Sequence, residues 1–467
     1  MNFVSLQFLL FFGVVYGLYW SCSTNRVRTI LLTIASYLFY AAWDWRFCSL
    51  MLLVTLNAYC AGRALQRDHT RALPVLVASI GSSVAVLAVF KYLDFLALNA
   101  TSLFEALGLK LSVPLPSILL PVGISFYTFH AISYVADVHR RKVAPSTNFL
   151  TLALYIAFFP QLIAGPIVRA SSFLPQLYRK RHFGPTQQMH GVLLFLRGLL
   201  YKAVIADTLA LIVDPVFADV AGSNASSLTT AAIAFYGQIY FDFAGYSCMA
   251  LGTARCFGYR LPRNFDYPYQ ATSVTEFWRR WHISLSSWLR DYLYVPLGGN
   301  RGSHARTHRN LFLTFIIGGL WHGASWNFVL WGALHGTGLC VHKAWSTVRS
   351  EFNLPGLGPI LGRAIALALT QLWVLVGWVF FRAETLPDAM MILRAIGNSP
   401  LEGTRDGTIL LILGVIAADH VFRPSRRRAP HSDRFAEKAV WVSLGAAAAL
   451  LIMLMPVAQK SFIYFQF

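Results

Sequence analysis

Between Arg309 and Lys343 the sequence carries no formally charged side chain. Within this interval Leu311 to His335 reads LFLTFIIGGLWHGASWNFVLWGALH, 25 apolar-rich residues with a histidine, His322, near the middle. At about 1.5 Å per residue such a stretch covers the roughly 30 Å hydrocarbon core of a bilayer, which predicts that His322 sits deep in a membrane. An ionisable group is costly to hold there and faces a cavity or a polar partner, so a functional role is the default reading. The competing reading is structural: a histidine can hydrogen-bond one helix to the next.

Composition decides what surrounds the stretch. The 467 residues are 56% hydrophobic and only 13% charged, with a mean hydropathy of +0.53, whereas soluble domains carry about 25% charged residues. This excludes a soluble enzyme and predicts a polytopic membrane protein. The net charge of +19, from 39 Lys plus Arg against 20 Asp plus Glu, would suggest nucleic acid in a soluble chain. Here the basic residues fall in short clusters between apolar runs, which positive-inside topology explains without a nucleic-acid partner.

Besides the His322 stretch, apolar runs lie at about 4–20, 29–43, 46–62, 73–98, 118–138, 147–164, 188–213, 228–254, 361–381, 407–422 and 437–456. Arg26 and Arg28, then Arg63, Arg67 and Arg71, then Arg140, Arg141 and Lys142 punctuate them, which places these clusters in the cytoplasm and the N-terminus outside. Phe8 to Trp20 lacks the flanks of a cleaved signal and reads as a retained span. The run 147–164 ends in FFPQLIAGPIVR, where Pro160, Gly165 and Pro166 suggest a re-entrant or broken helix lining an interior space. A spanning helix with a Pro-rich exit loop fits the same residues. The expected fold is all-α, a helical bundle of ten to twelve membrane segments forming a single membrane-embedded domain over 1–467, with ten full crossings where 147–164 and the His322 region are re-entrant or paired segments. Cys22, Cys48, Cys60, Cys248, Cys256 and Cys340 show no metal-ligand spacing and read as buried small hydrophobes, so no metal is expected.

The longest polar interval, Arg255 to Arg309, is assigned to the cytoplasm by its charge. Inside it Ser273 to Gly302 reads SVTEFWRRWHISLSSWLRDYLYVPLGGNRG. Ser273 with Glu276 forms a capping box, and Val274, Phe277, Trp278, Trp281, Leu285, Trp288 and Leu289 recur at helical spacing. The pattern predicts one amphipathic helix lying in the cytoplasmic membrane interface, ended by the turn at PLGG. His282, at the edge of its apolar face, is an ordinary packing histidine on local grounds alone.

FWRRWHISLSSWLRDYLYVPLGGNRG at 277–302, followed by LWHGASWNFVLWGALHG at 320–336, resembles the signature of the membrane-bound O-acyltransferase family. PVGISFYTFHAISYVADVHR at 121–140, FFPQLIAGPIVR at 158–169 and FIYFQF at 462–467 resemble its bacterial branch that acetylates exported polysaccharides. The resemblance implies that the histidine matching His322 is catalytic and that the one matching His282 is a second active-site polar residue. Trp278, Trp281, Trp321, Asn327 and Arg280, which flank the two histidines, are the candidates for binding substrate. It further implies acetyl-CoA as the donor substrate with no bound cofactor, an exported polysaccharide such as alginate as acceptor, periplasmic acetyltransferase partner proteins, contact with membrane lipid, and the bacterial inner membrane. Cellulose or another exopolysaccharide, and D-alanyl transfer to a cell-wall polymer, fit the same motifs.

The residues fit that chemistry without the family. Moving an acetyl group from a thioester to a hydroxyl needs a base near the hydroxyl, and a neutral imidazole with a pKa near 6.5 suits that role at physiological pH. Arg279, Arg280, Arg290, Arg301 and Arg306 would attract an anionic donor, although positive-inside topology alone puts arginines there. A transporter is disfavoured by the absence of a repeat, and a non-catalytic scaffold would leave both histidines dispensable. The regions 273–302 and 309–343 thus carry the expected interfacial helix and catalytic histidine.

Overall fold

A computed structural model of the chain describes residues 2–67, 70–109, 113, 118–353, 357–398, 406–421 and 462–463. No strand occurs among these residues. The α-helices are α1 (Leu6–Ser21), α2 (Asn25–Asp44), α3 (Cys48–Arg67), α4 (Ala72–Ala106), α5 (Ile124–His139), α6 (Phe149–Ala157), α7 (Phe159–Leu162), α8 (Ala170–Tyr178) and α9 (Pro185–Leu199). They continue with α10 (Asp207–Ala218), α11 (Ala225–Cys256), α12 (Val274–Arg280), α13 (Ile283–Leu289), α14 (His304–His322), α15 (Trp326–Glu351), α16 (Pro359–Arg382), α17 (Leu386–Asn398) and α18 (Asp406–Val421). Helical stretches Asn25–Arg67, Ala72–Ala106 and Pro359–Arg382 are long and apolar enough to cross a bilayer. The all-helical, polytopic expectation holds; the run expected at 437–456 and the basic run 423–428 lie outside the described residues.

The chain divides into two compact units, 1–195 with 249–262, and 196–248 with 263–467. In the first, α5 is buried on every side from Ile124 to Val138, its polar residues Ser125, Thr128, His130, Ser133 and Asp137 included. By contrast, Leu73, Val77 and Leu96 on α4 are 63%, 61% and 59% exposed, a surface that suits lipid tails. The segment expected to be broken is broken: α6 stops at Ala157, α7 is one short turn, and both are buried. Protein groups satisfy the freed backbone. Ser36 Oγ accepts the Phe159 N–H at 3.1 Å, the Val168 N–H donates to His130 Nε2 at 3.1 Å, and Tyr155 Oη donates to the Val168 carbonyl at 2.9 Å. The cysteines correct an expectation: Cys256 is buried, but Cys60 is exposed on the outward face of α3.

In the second unit a π-helical segment, Leu200–Ala206, crosses α11 at Gly245, where a Cβ would lie 2.7 Å from the Lys202 nitrogen. The crossing buries Lys202, whose Nζ lies 2.7 Å from Asp207 Oδ1 and 2.6 Å from Asp242 Oδ1. Asp242 Oδ2 also accepts the Ile463 N–H at 2.8 Å.

The stretch Leu311 to His335 is not one crossing. α14 ends at His322, α15 begins at Trp326, and the two fold back on each other. Glycines make the fold-back possible: a Cβ on Gly319 would overlap the Phe328 carbonyl oxygen, and one on Gly332 the Phe315 carbonyl oxygen. His322 therefore stands at a bend, not mid-helix.

The single interfacial helix expected over Ser273 to Arg290 is also corrected. It is two seven-residue helices, α12 and α13, broken at Trp281 and His282. His282 adopts φ 40°, ψ 55°, a left-handed conformation that a non-glycine residue holds only where its surroundings fix it. Asn264 does the fixing. Its carbonyl accepts the Ile283 N–H at 2.8 Å and its Oδ1 accepts from Ser284 Oγ at 2.6 Å. The face read as lipid-directed is buried in protein, with Phe277, Trp281 and Leu285 nearly inaccessible. Ser273 does cap α12, accepting the Glu276 N–H at 3.1 Å, but Glu276 reaches back to the Thr272 N–H rather than that of Ser273.

Candidate active site

Where the α14–α15 bend meets α12 and α13, the second unit holds a cavity of about 700 Å³. His322, the last residue of α14, lies at its buried end with Trp331 and Trp278 in the walls and Gly318 and Phe315 alongside. The rim carries Arg279, Arg290, His342 and Lys343, of which Arg279 and Arg290 are exposed. The cavity thus runs from a cationic opening to a buried imidazole.

Aromatic rings box His322. Trp321 and Trp331 each lie 4.9 Å from it edge-on, and Phe381 lies 5.2 Å away. Three rings restrict the imidazole to a small range of orientations, which is what a positioned proton acceptor needs. At the rim, Arg290 pairs with Asp291 at 2.6 Å, so part of its charge is compensated. His342 Nδ1 lies 2.9 Å from Thr275 Oγ1.

The remaining candidates are distributed unevenly. Trp278 lines the cavity with His322. Trp321 stands between the two histidines, 6.0 Å from His282 on its other side. His282 is inaccessible, packs 4.6 Å from Phe243, and is not among the cavity walls. Trp281 is also behind the wall, between Trp378 at 4.7 Å and Phe265 at 5.0 Å. Asn327 donates to the Ala383 carbonyl at 2.7 Å, tying α15 to the end of α16. Arg280 pairs with Glu276 at 2.7 Å and reaches the Asp266 carbonyl at 3.1 Å. Partial burial raises the Glu276 carboxyl, but the Thr272 N–H and the Arg280 guanidinium outweigh it and keep it below the usual carboxylate range.

Reading the sequence missed Trp331, His342 and Lys343. With Leu339 and Ser346 they form one face of α15 turned to the cavity. Leu339 with His342 and Lys343, and these two with Ser346, recur at three and four residues, with Trp331 eight residues before Leu339, a helical signal that the apolar residues on every side of α15 mask.

A sequence model of the MBOAT, membrane-bound O-acyltransferase family, matches residues 8–358. The chain is 42% identical over 392 residues to the probable alginate O-acetylase AlgI of Pseudomonas putida, covering 83% of this chain and 78% of that one. It is 36% identical over 402 residues to the peptidoglycan O-acetyltransferase of Helicobacter pylori, covering 78% and 73%. With the teichoic acid D-alanyltransferase of Streptococcus thermophilus the identity is 28% over 286 residues, 57% of this chain and 69% of the other.

Proposed function

This chain belongs to the membrane-bound O-acyltransferase family and is a multi-pass membrane acyltransferase, and from that premise we propose that it moves acetyl groups from acetyl-CoA, through the cavity at His322, toward an exported polysaccharide of the alginate type. The observation that carries the reading is the cavity itself, a buried imidazole at one end and arginine and lysine at the other. A donor such as acetyl-CoA is anionic at its phosphates and reactive at the far end of a long thin arm, which matches that polarity.

His322 takes the proton from the acceptor hydroxyl as its oxygen attacks the thioester carbonyl. The C–O bond forms, the tetrahedral intermediate collapses with cleavage of the C–S bond, and the proton passes to the departing thiolate. The position of His322 at the C-terminal end of α14 favours the positive charge its ring acquires during this transfer. Acetylation is favoured over D-alanyl transfer because the relatives named as acetylases match more of the chain at higher identity. A helical bundle with basic clusters between its spans suits the bacterial inner membrane, and an acceptor beyond it calls for periplasmic acetyltransferase partner proteins.

The test is His322→Ala, scored as polymer acetyl content in cells at matched protein level. Acetylation should fall by about two to four orders of magnitude, the usual worth of a positioned acid or base. Retained acetylation in a stable variant would return His322 to the role of helix glue. In membranes, transfer of label from acetyl-CoA tests the donor, and no transfer without an acyl carrier protein would replace acetyl-CoA.

A further inference from the structure

We propose that His335 is a positioning residue of the acyl transfer, holding the tryptophan walls of the cavity in register beside His322. The inference rests on the reading of His322 as the base. His335 is fully buried on α15, one turn beyond Trp331, and does not itself line the cavity. Its Nδ1 accepts the Trp278 Nε1–H at 3.3 Å. A nitrogen that accepts carries no proton, so the bonding network places the ring proton on Nε2.

The rings around it form a continuous chain. His335 lies 5.1 Å from Trp278 at 89° and 4.8 Å from Trp331 at 67°. Trp331 in turn lies 4.9 Å from His322 at 78°, and Trp278 lies 5.5 Å from Trp331 at 82°. One residue outside the cavity therefore touches both tryptophans that line it, and one of these touches the base.

Stability alone does not call for a histidine here. The slot is apolar, Nε2 has no hydrogen-bond partner among the described residues, and Gly377 leaves it only just room, with a Cβ there falling 2.7 Å from Nε2. A leucine would fill the slot and remove that N–H, but it would leave the buried Trp278 Nε1–H without its acceptor, so the exchange is about even in stability. What leucine lacks is the acceptor that stops the Trp278 indole from turning about its own side-chain bond.

The test compares His335→Leu, His335→Asn and Trp278→Phe in cells, by polymer acetyl content at matched protein level. Leucine should lower acetylation by about 10- to 100-fold, the scale of a misplaced reacting geometry. Asparagine, whose Oδ1 stands where Nδ1 stood, should restore it to within about threefold, since one neutral hydrogen bond kept costs little. In the Trp278→Phe background, which has no indole N–H, His335→Leu should add little further loss. Wild-type acetylation in His335→Leu overturns the proposal, and so does His335→Asn as inactive as leucine. If the leucine variant does not accumulate, full activity in Trp278→Phe overturns it instead. Acetylation surviving His322→Ala would sink the catalytic reading, whereas its loss there with full activity in His335→Leu sinks this inference alone.

Discussion

Replacing Gly332 by alanine tests whether the close contact of α14 and α15 sets the geometry of the active site. The new Cβ would overlap the Phe315 carbonyl oxygen and lie 3.0 Å from its carbonyl carbon and 3.1 Å from Ile316 Cα, where ordinary contact begins at 3.4 Å. Relief of the carbon alone needs 0.4 Å, and relief of the oxygen more, so the helices must part by roughly 0.5 Å or beyond, at an overpacking cost of about 1–3 kcal/mol. Trp331, the residue before Gly332, moves with α15 while His322 stays with α14. If 1 Å of misplacement costs about a hundredfold in rate, half of that costs about tenfold. The assay is polymer acetyl content at matched protein level, alongside the melting temperature in detergent. Gly336→Ala, whose Cβ would lie 3.2 Å from Phe312 Cα, should show a weaker effect, and Gly81→Ala, with nothing within 4 Å, none. Wild-type activity and melting in Gly332→Ala would refute the argument, because the two backbones would then not be in contact.

Three further outcomes follow from the site and its surroundings. With acetyl-CoA as the proposed donor, removing the rim charge at Arg279 or Lys343 should raise its half-saturating concentration in membranes by about 2- to 5-fold, a difference that shrinks as salt rises; Arg290, already paired with Asp291, should matter less. Glu276 has a depressed pKa, so the stability it contributes is present above its unfolded value near 4.3 and is lost as pH falls through the folded value. Melting curves in detergent should therefore show wild type losing ground to Glu276→Gln below about pH 4.3, and parallel curves would refute the pairing. Lys202→Met leaves Asp207 and Asp242 without their shared cation and should cost about 3–5 kcal/mol, read as poor accumulation and a lowered melting temperature.

Much of this architecture is legible before any coordinates. The apolar runs between basic clusters define the helices, and Pro160 with Gly165 marks the break after α6 because both residues disrupt helices for reasons local to themselves. The break at His282 has no such mark. Both α12 and α13 turn apolar residues toward the same core, so the helical period runs through the gap, and the left-handed residue is imposed by Asn264, eighteen positions earlier in the chain. The same limit applies to the site. His322 stands out as an ionisable group among apolar neighbours. The relation of His335 to Trp278 does not, because it joins residues 57 positions apart, on either side of a fold-back that depends on close glycine contacts such as those of Gly319 and Gly332.

The buried Lys202 cluster also bears on how the chain is made. Asp242 is synthesised 221 residues before Ile463, whose N–H becomes one of its hydrogen-bond donors. At roughly 5–20 residues per second, that interval lasts on the order of 10–40 s. During that time the carboxylate must be carried into the membrane without its final partner, beside a lysine that has already emerged. The order of the charges along the chain, cation first, lets the nascent protein insert Asp242 into a partly compensated site. Moving the lysine to the far side of Ile463, even with the same folded contacts, would leave two aspartates to enter lipid alone.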